Sequence, residues 1–287
     1  MKLPFYIVDV FAEKKYAGNQ LAVFLEATKL SSEQMQQIAC EMNFAESTFV
    51  TSIQPKSNSA SIRIFTVEKE MQFAGHPVLG TSWVLMNKII ESRPHDFKLM
   101  VPVGPIPIKQ SGDVVWLQAA QPQFWDVFSK DDFSTFSNLI SNDIDSQLPI
   151  QEVTTGSAFV IVPLQNIQAL ERLQLDLNAT DKWLKDNCKT KHRALYFYCY
   201  ENGELHSRMF CVEKNQLFED AATGSASTCL QAFLLKYHSP NIKTVNHQGD
   251  FINRPSRIYF DGELSGDNFD IKIGGKVQFV AKGEWEV

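Results

Sequence analysis

The chain has 287 residues, 44% of them hydrophobic and 21% charged, which fits a folded protein of about two domains and excludes an intrinsically disordered one. The formal net charge is −6 and the basic residues are scattered, which excludes the basic stripe of a nucleic-acid-binding protein. No uncharged stretch reaches the ~18 residues of a membrane-spanning helix, so neither nucleic acid nor membrane is a predicted partner.

The N-terminal segment predicts a strand and not a signal peptide, because Asp9 interrupts the apolar run and no small-residue cleavage site follows. Five cysteines without a C-x-x-C pair predict free thiols in a reducing cytoplasm. Six histidines without H-x-x-x-H spacing give no sign of a metal site. The glycine-rich nucleotide motifs are absent from the sequence, which argues against common nucleotide cofactors.

The first 90 residues predict strands and two helices. Runs rich in Val, Ile and Phe predict strands at 5–11, 21–25, 47–52 and 61–67. Ser31 and Gln34 have the spacing of a capping box, which predicts a helix through about Glu41. Pro77 suits the first position of a second helix, and the apolar residues that follow it predict burial on nearly all sides.

The chain also contains an internal repeat. The segment Arg63–Lys69 recurs as Arg208–Lys214, an offset of 145 residues, and the alignment continues with Phe73–His76 against Phe218–Ala221. Further matches follow in the same order along both copies. An offset this long is unlike a solenoid, so we interpret the chain as a duplicated half-molecule.

Each copy reads in the order strand, helix, strands, helix, strands, which predicts a mixed α/β (α+β) protein of two pseudo-symmetric halves. Asn, Asp, Ser and Pro between positions 121 and 150 predict the crossover. The predicted N-terminal half is 1–122, with the last strand, at about 274–287, a candidate to complete it. The predicted C-terminal half is 123–273.

Each predicted buried helix begins at a glycine-containing turn, 74–77 in the first copy and 222–225 in the second. A helix start carries unpaired N–H groups and a partial positive charge, which suit a carboxylate or an enolate oxygen. An ordinary capped helix start is the better interpretation of either turn alone. Their repetition favours a cleft between the halves that binds a small anionic substrate.

Glu46 is the candidate proton carrier. It enters an apolar strand beside Phe44, Phe49 and Val50, and these neighbours are expected to raise its pKa toward neutrality. A solvated glutamate at a strand end is the commoner alternative. The repeat supplies no second acid, because the aligned stretch 194–196 has none.

Asp220 precedes the second turn, where a catalytic role and simple stabilisation by the helix dipole are equally supported. His76 is a candidate helix cap or substrate donor, and Ser225 is similar. Arg63 and Arg208 are interpreted as members of structural ion pairs.

The residues resemble the phenazine-biosynthesis PhzF-like isomerases, which have the diaminopimelate-epimerase fold. The matching stretches are Asp9–Phe11, Tyr16–Val23, Ile38–Val50, Arg63–Phe65, Glu70–Gly80 and Glu219–Ala226. The resemblance implies two similar halves, each a sheet wrapped around a central helix. It also implies no cofactor, and a homodimer such as family members often form.

The resemblance implies roles for individual residues. Glu46 would move a proton between carbons of a small carboxylate-bearing substrate, while His76, Asp220 and Ser225 would line the substrate cleft. The family positions beside this cleft match Asn19, Gly75 and Gly224. The family match does not place the chain in a phenazine pathway.

The epimerases that share this fold use two catalytic cysteines, and the positions matched to them here are Ala74 and Ala221. Two-thiol racemisation is therefore disfavoured. The sequence predicts a cofactor-independent isomerase with Glu46 as acid and base. Two alternatives stay open, an amino-acid racemase or epimerase with Glu46 and Asp220 as two bases, and a binding protein without turnover.

Overall fold

The computed structural model describes residues 1–189, 194–213 and 215–287, so Lys214 of the second repeat motif lies outside the described residues. Contacts divide the chain into two compact units, Met1–Gln118 with Gly274–Val287, and Ala119–Ile273. Among the described residues, no helix has the length and apolar character required to cross a membrane.

The first unit is mostly sheet. Its strands in chain order are β1 (Lys2–Val10), β2 (Asn19–Phe24), β3 (Glu46–Gln54), β4 (Ser59–Thr66), β5 (Glu70–Met71), β6 (Asp96–Val101), β7 (Gly104–Ser111) and β8 (Val114–Gln118). Its α-helices are α1 (Ser32–Met42) and α2 (Gly75–Val84), and a π-helical turn at Leu85–Ile89 continues α2.

The second unit follows the same plan with more helix. Its strands are β9 (Gln123–Phe128), β10 (Ile150–Thr154), β11 (Ala158–Pro163), β12 (Ala194–Glu201), β13 (Glu204–Glu213), β14 (Gln216–Asp220), β15 (Asn241–Gln248), β16 (Ser256–Ser265) and the start of β17 (Asn268–Glu286). Its helices are α3 (Lys130–Phe133), α4 (Ile167–Arg172), α5 (Leu177–Asn187) and α6 (Gly224–Tyr237).

The strand pairings repeat from one unit to the other. In the first unit, β1 pairs antiparallel with β2, β2 pairs parallel with β3, and β3 pairs antiparallel with β4. Strand β4 also pairs antiparallel with β5 and parallel with β6, and β6 pairs antiparallel with β7. Strands β10 to β16 of the second unit pair in the same order and the same directions. The predicted pseudo-symmetry is therefore confirmed.

A buried helix occupies the centre of each unit. Helix α2 packs against β1, β2, β3, β6 and β8, and α6 packs against β10, β11, β15 and β16. In α2 every residue except Trp83 is buried. A Cβ on Gly80 would lie 2.6 Å from side-chain atoms of Val10 and Leu21, so the absent side chain lets α2 approach the sheet. The predicted fold of a sheet around a central helix is confirmed.

The predicted boundaries of the helices hold with one difference. The capping box before α1 is present, with Gln34 N–H donating to Ser31 Oγ at 3.1 Å and Ser31 N–H donating to Gln34 Oε1 at 3.0 Å. Helix α2 begins at Gly75, so Pro77 is its third residue and not its first. A proline still fits there, because the N–H groups of the first turn have no partner within the helix.

Strand register corrects part of the repeat alignment. Phe65 pairs with Glu70 in the first unit, and the equivalent Phe210 pairs with Glu219 in the second. The hairpin from Phe210 to Glu219 is four residues longer than the hairpin from Phe65 to Glu70, so the offset grows from 145 to 149 before the central helices begin at Gly75 and Gly224. Aligning Phe73–His76 with Phe218–Ala221 was therefore wrong.

Two positions change partner under the corrected offset. The counterpart of Asp220 is Met71 and not Gly75, and the counterpart of Ala74 is Thr223 and not Glu219. Neither Ala74 nor Thr223 is a cysteine, so the argument against two-thiol chemistry is unchanged.

The repeated arginines form equivalent ion pairs, as interpreted from the sequence. Arg63 Nη2 lies 2.6 Å from Glu70 Oε2, and Arg208 Nη2 lies 2.6 Å from Glu219 Oε2. The two pairs differ in burial, with side chains 27% and 31% exposed in the first and 10% and 11% exposed in the second. Arg208 also donates to the backbone carbonyl of Leu170 at 2.9 Å, which ties α4 to β13.

The last strand contributes to both units. Its first six residues, 268–273, belong to the second unit, and residues 277–286 pair antiparallel with β1 in the first. The register joins Lys2 to Glu286 and Val10 to Val277, with a bulge after Ile7.

Candidate active site

Three residues named from the sequence lie together in the first unit. Asn19 begins β2 and Glu46 begins β3, and these parallel strands place Leu21 beside Glu46. His76 is the second residue of α2. Its Nδ1 lies 3.3 Å from Asn19 Nδ2, and its Nε2 lies 3.5 Å from Glu46 Oε2.

The His76 ring is neutral at physiological pH. Its side chain is 3% exposed, and this burial lowers its pKa to about 3, although a hydrogen bond to the backbone of Gln20 opposes the shift. The contact between His76 and Glu46 is therefore not an ion pair. One proton at most lies between the two groups, since either Nε2–H points at a carboxylate or a protonated Glu46 points at a bare Nε2.

The Glu46 side chain is 17% exposed, so it is partly open to solvent while its partner is buried. The sequence placed it among Phe44, Phe49 and Val50, and this was partly wrong because neighbouring side chains of a strand point to opposite faces. Phe49 lies on the other face, where its ring stacks on Phe24 with 5.0 Å between the ring centroids. Phe44 also packs against this cluster. Phe49 therefore does not share the face of Glu46, whereas Val50, four residues along β3, does.

Of the remaining named residues, Gly75 begins α2 in the first unit. The others lie in the second unit, where Asp220 ends β14 and is 7% exposed. Gly224 and Ser225 are the first two residues of α6, and Ser225 is half-buried. At the N-cap position, Thr223 does not cap the helix with its side chain. Its hydroxyl donates instead to Asp220 Oδ2 at 2.5 Å.

A buried polar network supports this turn, and sequence reasoning missed it. Tyr196 is at its centre, accepting hydrogen bonds from Asn246 Nδ2 at 2.8 Å and Ser207 Oγ at 3.0 Å. Its own hydroxyl donates to Gln248 Oε1 at 3.0 Å, and Ser227 Oγ lies 3.0 Å away. Burial raises the pKa of Tyr196 to about 12, so the hydroxyl keeps its proton.

The direction of each bond between Tyr196 and Asp220 is fixed by chemistry. Gln248 accepts from Tyr196 through Oε1, so its Nε2 donates to Thr223 Oγ1 at 3.0 Å and to the carbonyl of Asp220 at 2.9 Å. Because Thr223 Oγ1 accepts there, its single proton is free to point at the Asp220 carboxylate. The chain of bonds therefore orients both the backbone and the side chain of Asp220.

The PhzC-PhzF family, described as phenazine biosynthesis-like proteins, matches residues 8–283. The chain belongs to this family. A trans-2,3-dihydro-3-hydroxyanthranilate isomerase of Pseudomonas aeruginosa is 33% identical to this PhzF-family chain over 288 residues, covering 97% of the chain and 98% of the relative. The crystal structure of a PhzF-family phenazine biosynthesis protein of Bacillus anthracis is 26% identical, covers all of both chains and has a TM-score of 0.88.

A more distant structure shows how widely the fold is shared. A probable proline racemase of Agrobacterium radiobacter superposes on the PhzF-family chain with a TM-score of 0.65, covering 99% of this chain and 92% of that one. At 10% identity this likeness shows the fold alone.

The two units of this PhzF-family protein differ at the network. Strand register and helix position assign a first-unit counterpart to each network residue. The counterparts of Tyr196, Ser207, Ser227, Asn246 and Gln248 are Thr48, Ile62, Val78, Leu99 and Val101. All five counterparts are buried and four are apolar. At four of the five positions the buried polar group is present only in the unit that holds Asp220, where Gln248 connects the network to the Asp220 turn.

Proposed function

We propose that this PhzF-family protein is a cofactor-independent isomerase that moves a proton between carbon atoms of a small carboxylate-bearing substrate. The single observation that carries the proposal is the contact of Glu46 with His76. A solvent-accessible carboxylate faces a buried imidazole that stays neutral, with 3.5 Å between Oε2 and Nε2. The isomerase of Pseudomonas aeruginosa similar to this chain supports the reaction class.

In the proposed mechanism the Glu46 carboxylate removes a proton from one carbon and becomes a carboxylic acid. The electrons left behind delocalise into the substrate, and Glu46 then returns the proton to another carbon. A neutral His76 donates a hydrogen bond or accepts one without adding a full charge beside Glu46. General acid–base catalysis of this kind contributes about 10²–10⁴-fold in rate.

Helix starts are the proposed anchors for the substrate carboxylate. Neither Ala74 nor Thr223 caps its helix with a side chain, so the N–H groups at Gly75 and Gly224 are available to an anion. Ser225 is the proposed hydroxyl donor at the second helix start. In the first unit, Asn19 is proposed to hold the His76 ring in place.

The decisive experiment is a screen of small cyclic and acyclic amino acids in deuterated water, read by mass, with trans-2,3-dihydro-3-hydroxyanthranilate included. With a substrate in hand, Glu46→Gln keeps the shape of the side chain but cannot carry the proton. It should lose at least ~10²-fold in turnover and still bind ligand. The matched control is Glu41→Gln, an exposed residue of α1, which should keep full activity. Near-normal turnover by Glu46→Gln would overturn the mechanism.

A two-base racemase or epimerase is the second candidate, and the buried Asp220 favours it. A carboxylate held by Thr223 at 2.5 Å is positioned well enough to serve as a second base. The stereochemistry of deuterium incorporation separates the candidates, since one base exchanges on one face and two bases invert the carbon. Loss of turnover in Asp220→Asn together with inversion would favour the racemase.

The proposal also includes a cytoplasmic homodimer. The cysteines at positions 40, 188, 199, 211 and 229 are free, which suits a reducing compartment. Light scattering of the purified chain measures its mass, and a monomer at micromolar concentration would remove the dimer from the proposal.

A further inference from the structure

Metal-ligating side chains converge at one end of strands β13 and β15 in the second unit. His206 and His247 are directly opposite in the parallel register of these strands, and their ring centroids are 4.9 Å apart. Asp250 begins the short 3-10 turn Asp250–Ile252 that follows β15. One donor atom from each of the three lies within 4.8 Å of the others.

A fourth donor lies beside them. Glu204 Oε2 is 3.9 Å from His206 Nε2 and 3.8 Å from His247 Nε2. A tetrahedral zinc ion with bonds of about 2.0–2.2 Å places neighbouring donors about 3.3–3.6 Å apart. The Glu204 side chain is 59% exposed, so a small rotation is enough to bring its oxygen to that separation.

We propose that His206, His247, Asp250 and Glu204 form a binding site for a divalent transition-metal ion. Two imidazole nitrogens and two carboxylate oxygens favour zinc over calcium or magnesium, which prefer oxygen ligands alone. The site is separate from the proposed chemistry of Glu46 and does not depend on it.

The charges around the cluster suit a divalent cation. Two carboxylates, Asp250 and Glu204, lie beside the two imidazoles and would offset the charge of a bound divalent cation. Arg257 Nη1 lies 3.1 Å from Asp250 Oδ1 and 3.2 Å from Oδ2. Such a neighbour orients a ligating carboxylate and leaves lone pairs on both oxygens, as supporting hydrogen bonds commonly do around metal ligands.

The position of the cluster gives the ion a structural role. His247 and Gln248 are neighbours on β15, so their side chains point to opposite faces of the strand. Gln248 holds the Asp220 turn from one face, while an ion bound by His247 and Asp250 would fix the same backbone segment from the other.

Spacing along the chain cannot reveal this cluster. The two histidines are separated by α6 and meet only because β13 pairs with β15. The spacing rule detects ligands carried by one helix or one loop, so it does not detect this cluster.

The test uses the full chain with its affinity tag removed and metals stripped by a chelator. Zinc titration by calorimetry should show one ion per chain, and cobalt should give the visible absorption of a tetrahedral complex. His206→Ala and His247→Ala should each weaken zinc binding about tenfold or more. His238→Ala, an exposed histidine of the same unit, should bind as the wild type does. Zinc should also raise the Tm of the wild type but not of the double variant His206→Ala/His247→Ala.

The comparison with the double variant decides the matter. If the wild type binds zinc no more tightly than the double variant, or if His238→Ala weakens binding as much as His206→Ala, the proposed site does not exist. Because both ligand histidines are partly exposed at the surface, circular dichroism should show folded variants.

Discussion

Tyr196→Phe isolates the contribution of the buried network, because it removes one hydroxyl and nothing else. Asn246 Nδ2 and Ser207 Oγ then lose their acceptor, and Gln248 Oε1 loses its donor from Tyr196. All three residues are at most 1% exposed, so water cannot replace the hydroxyl. Each buried group left unpaired costs about 1–3 kcal/mol. Gln248 Oε1 keeps the N–H of Thr223, so only Asn246 Nδ2 and Ser207 Oγ are left unpaired and we expect a total loss of about 2–6 kcal/mol in the free energy of unfolding.

Tyr198 is a matched control two residues along the same strand. Its side chain lies on the same face and is 2% exposed, but its hydroxyl has no hydrogen-bond partner among the described residues. Tyr198→Phe should therefore leave the free energy of unfolding unchanged or raise it by up to about 2 kcal/mol. Urea denaturation of both variants gives the comparison. Equal changes in the two variants would refute the assignment of stability to the network.

Three further predictions concern charge and thiols. Glu219→Gln should lower the free energy of unfolding by about 3–5 kcal/mol, because its arginine partner is mostly buried. Glu70→Gln at the equivalent and more exposed pair should lower it by about 1 kcal/mol or less. Urea denaturation measures both changes. The folded pKa of His76 is about 3 against 6.5 for a free histidine, so the unfolded chain binds the extra proton between these values. The wild type should therefore lose up to ~1.4 kcal/mol of stability per pH unit as pH falls through this window, and His76→Gln should lose less in the same titration. Cys40 is exposed, whereas burial raises the pKa of Cys229 to about 12, so a thiol reagent should label Cys40 first, as read by mass, and leave turnover intact.

Sequence patterns predicted the elements that depend on contacts between residues close together in the chain. The α1 capping box is a contact between residues three apart, so Ser31 and Gln34 were sufficient to place the start of the helix. The central helix was predicted from its uniform apolar character. The duplication followed from Arg63 and Arg208, whose ion pairs preserve the same local sequence in both copies.

Features that depend on pairing between strands were missed or misplaced. The offset change before Gly224 is set by the length of the hairpin formed by β13 and β14, which a motif comparison does not contain. The contact between Glu46 and His76 was implied only by family resemblance, since β3 and α2 are joined in space and not in sequence. Asn246 and Gln248 alternate with other polar residues on β15, so their inward direction is visible only once β13 is beside them.

The discontinuous first unit has a consequence for synthesis on the ribosome. Strand β1 leaves the ribosome before the other strands of its unit, and β2 follows soon enough to cover one of its edges. The other edge waits for residues 277–286, which at about 5–20 residues per second arrive on the order of 10–50 s later. Throughout that interval the nascent N-terminal sheet carries an open edge that another chain is able to pair with. A truncated chain that ends before β17 should therefore aggregate, whatever the stability of the full-length enzyme.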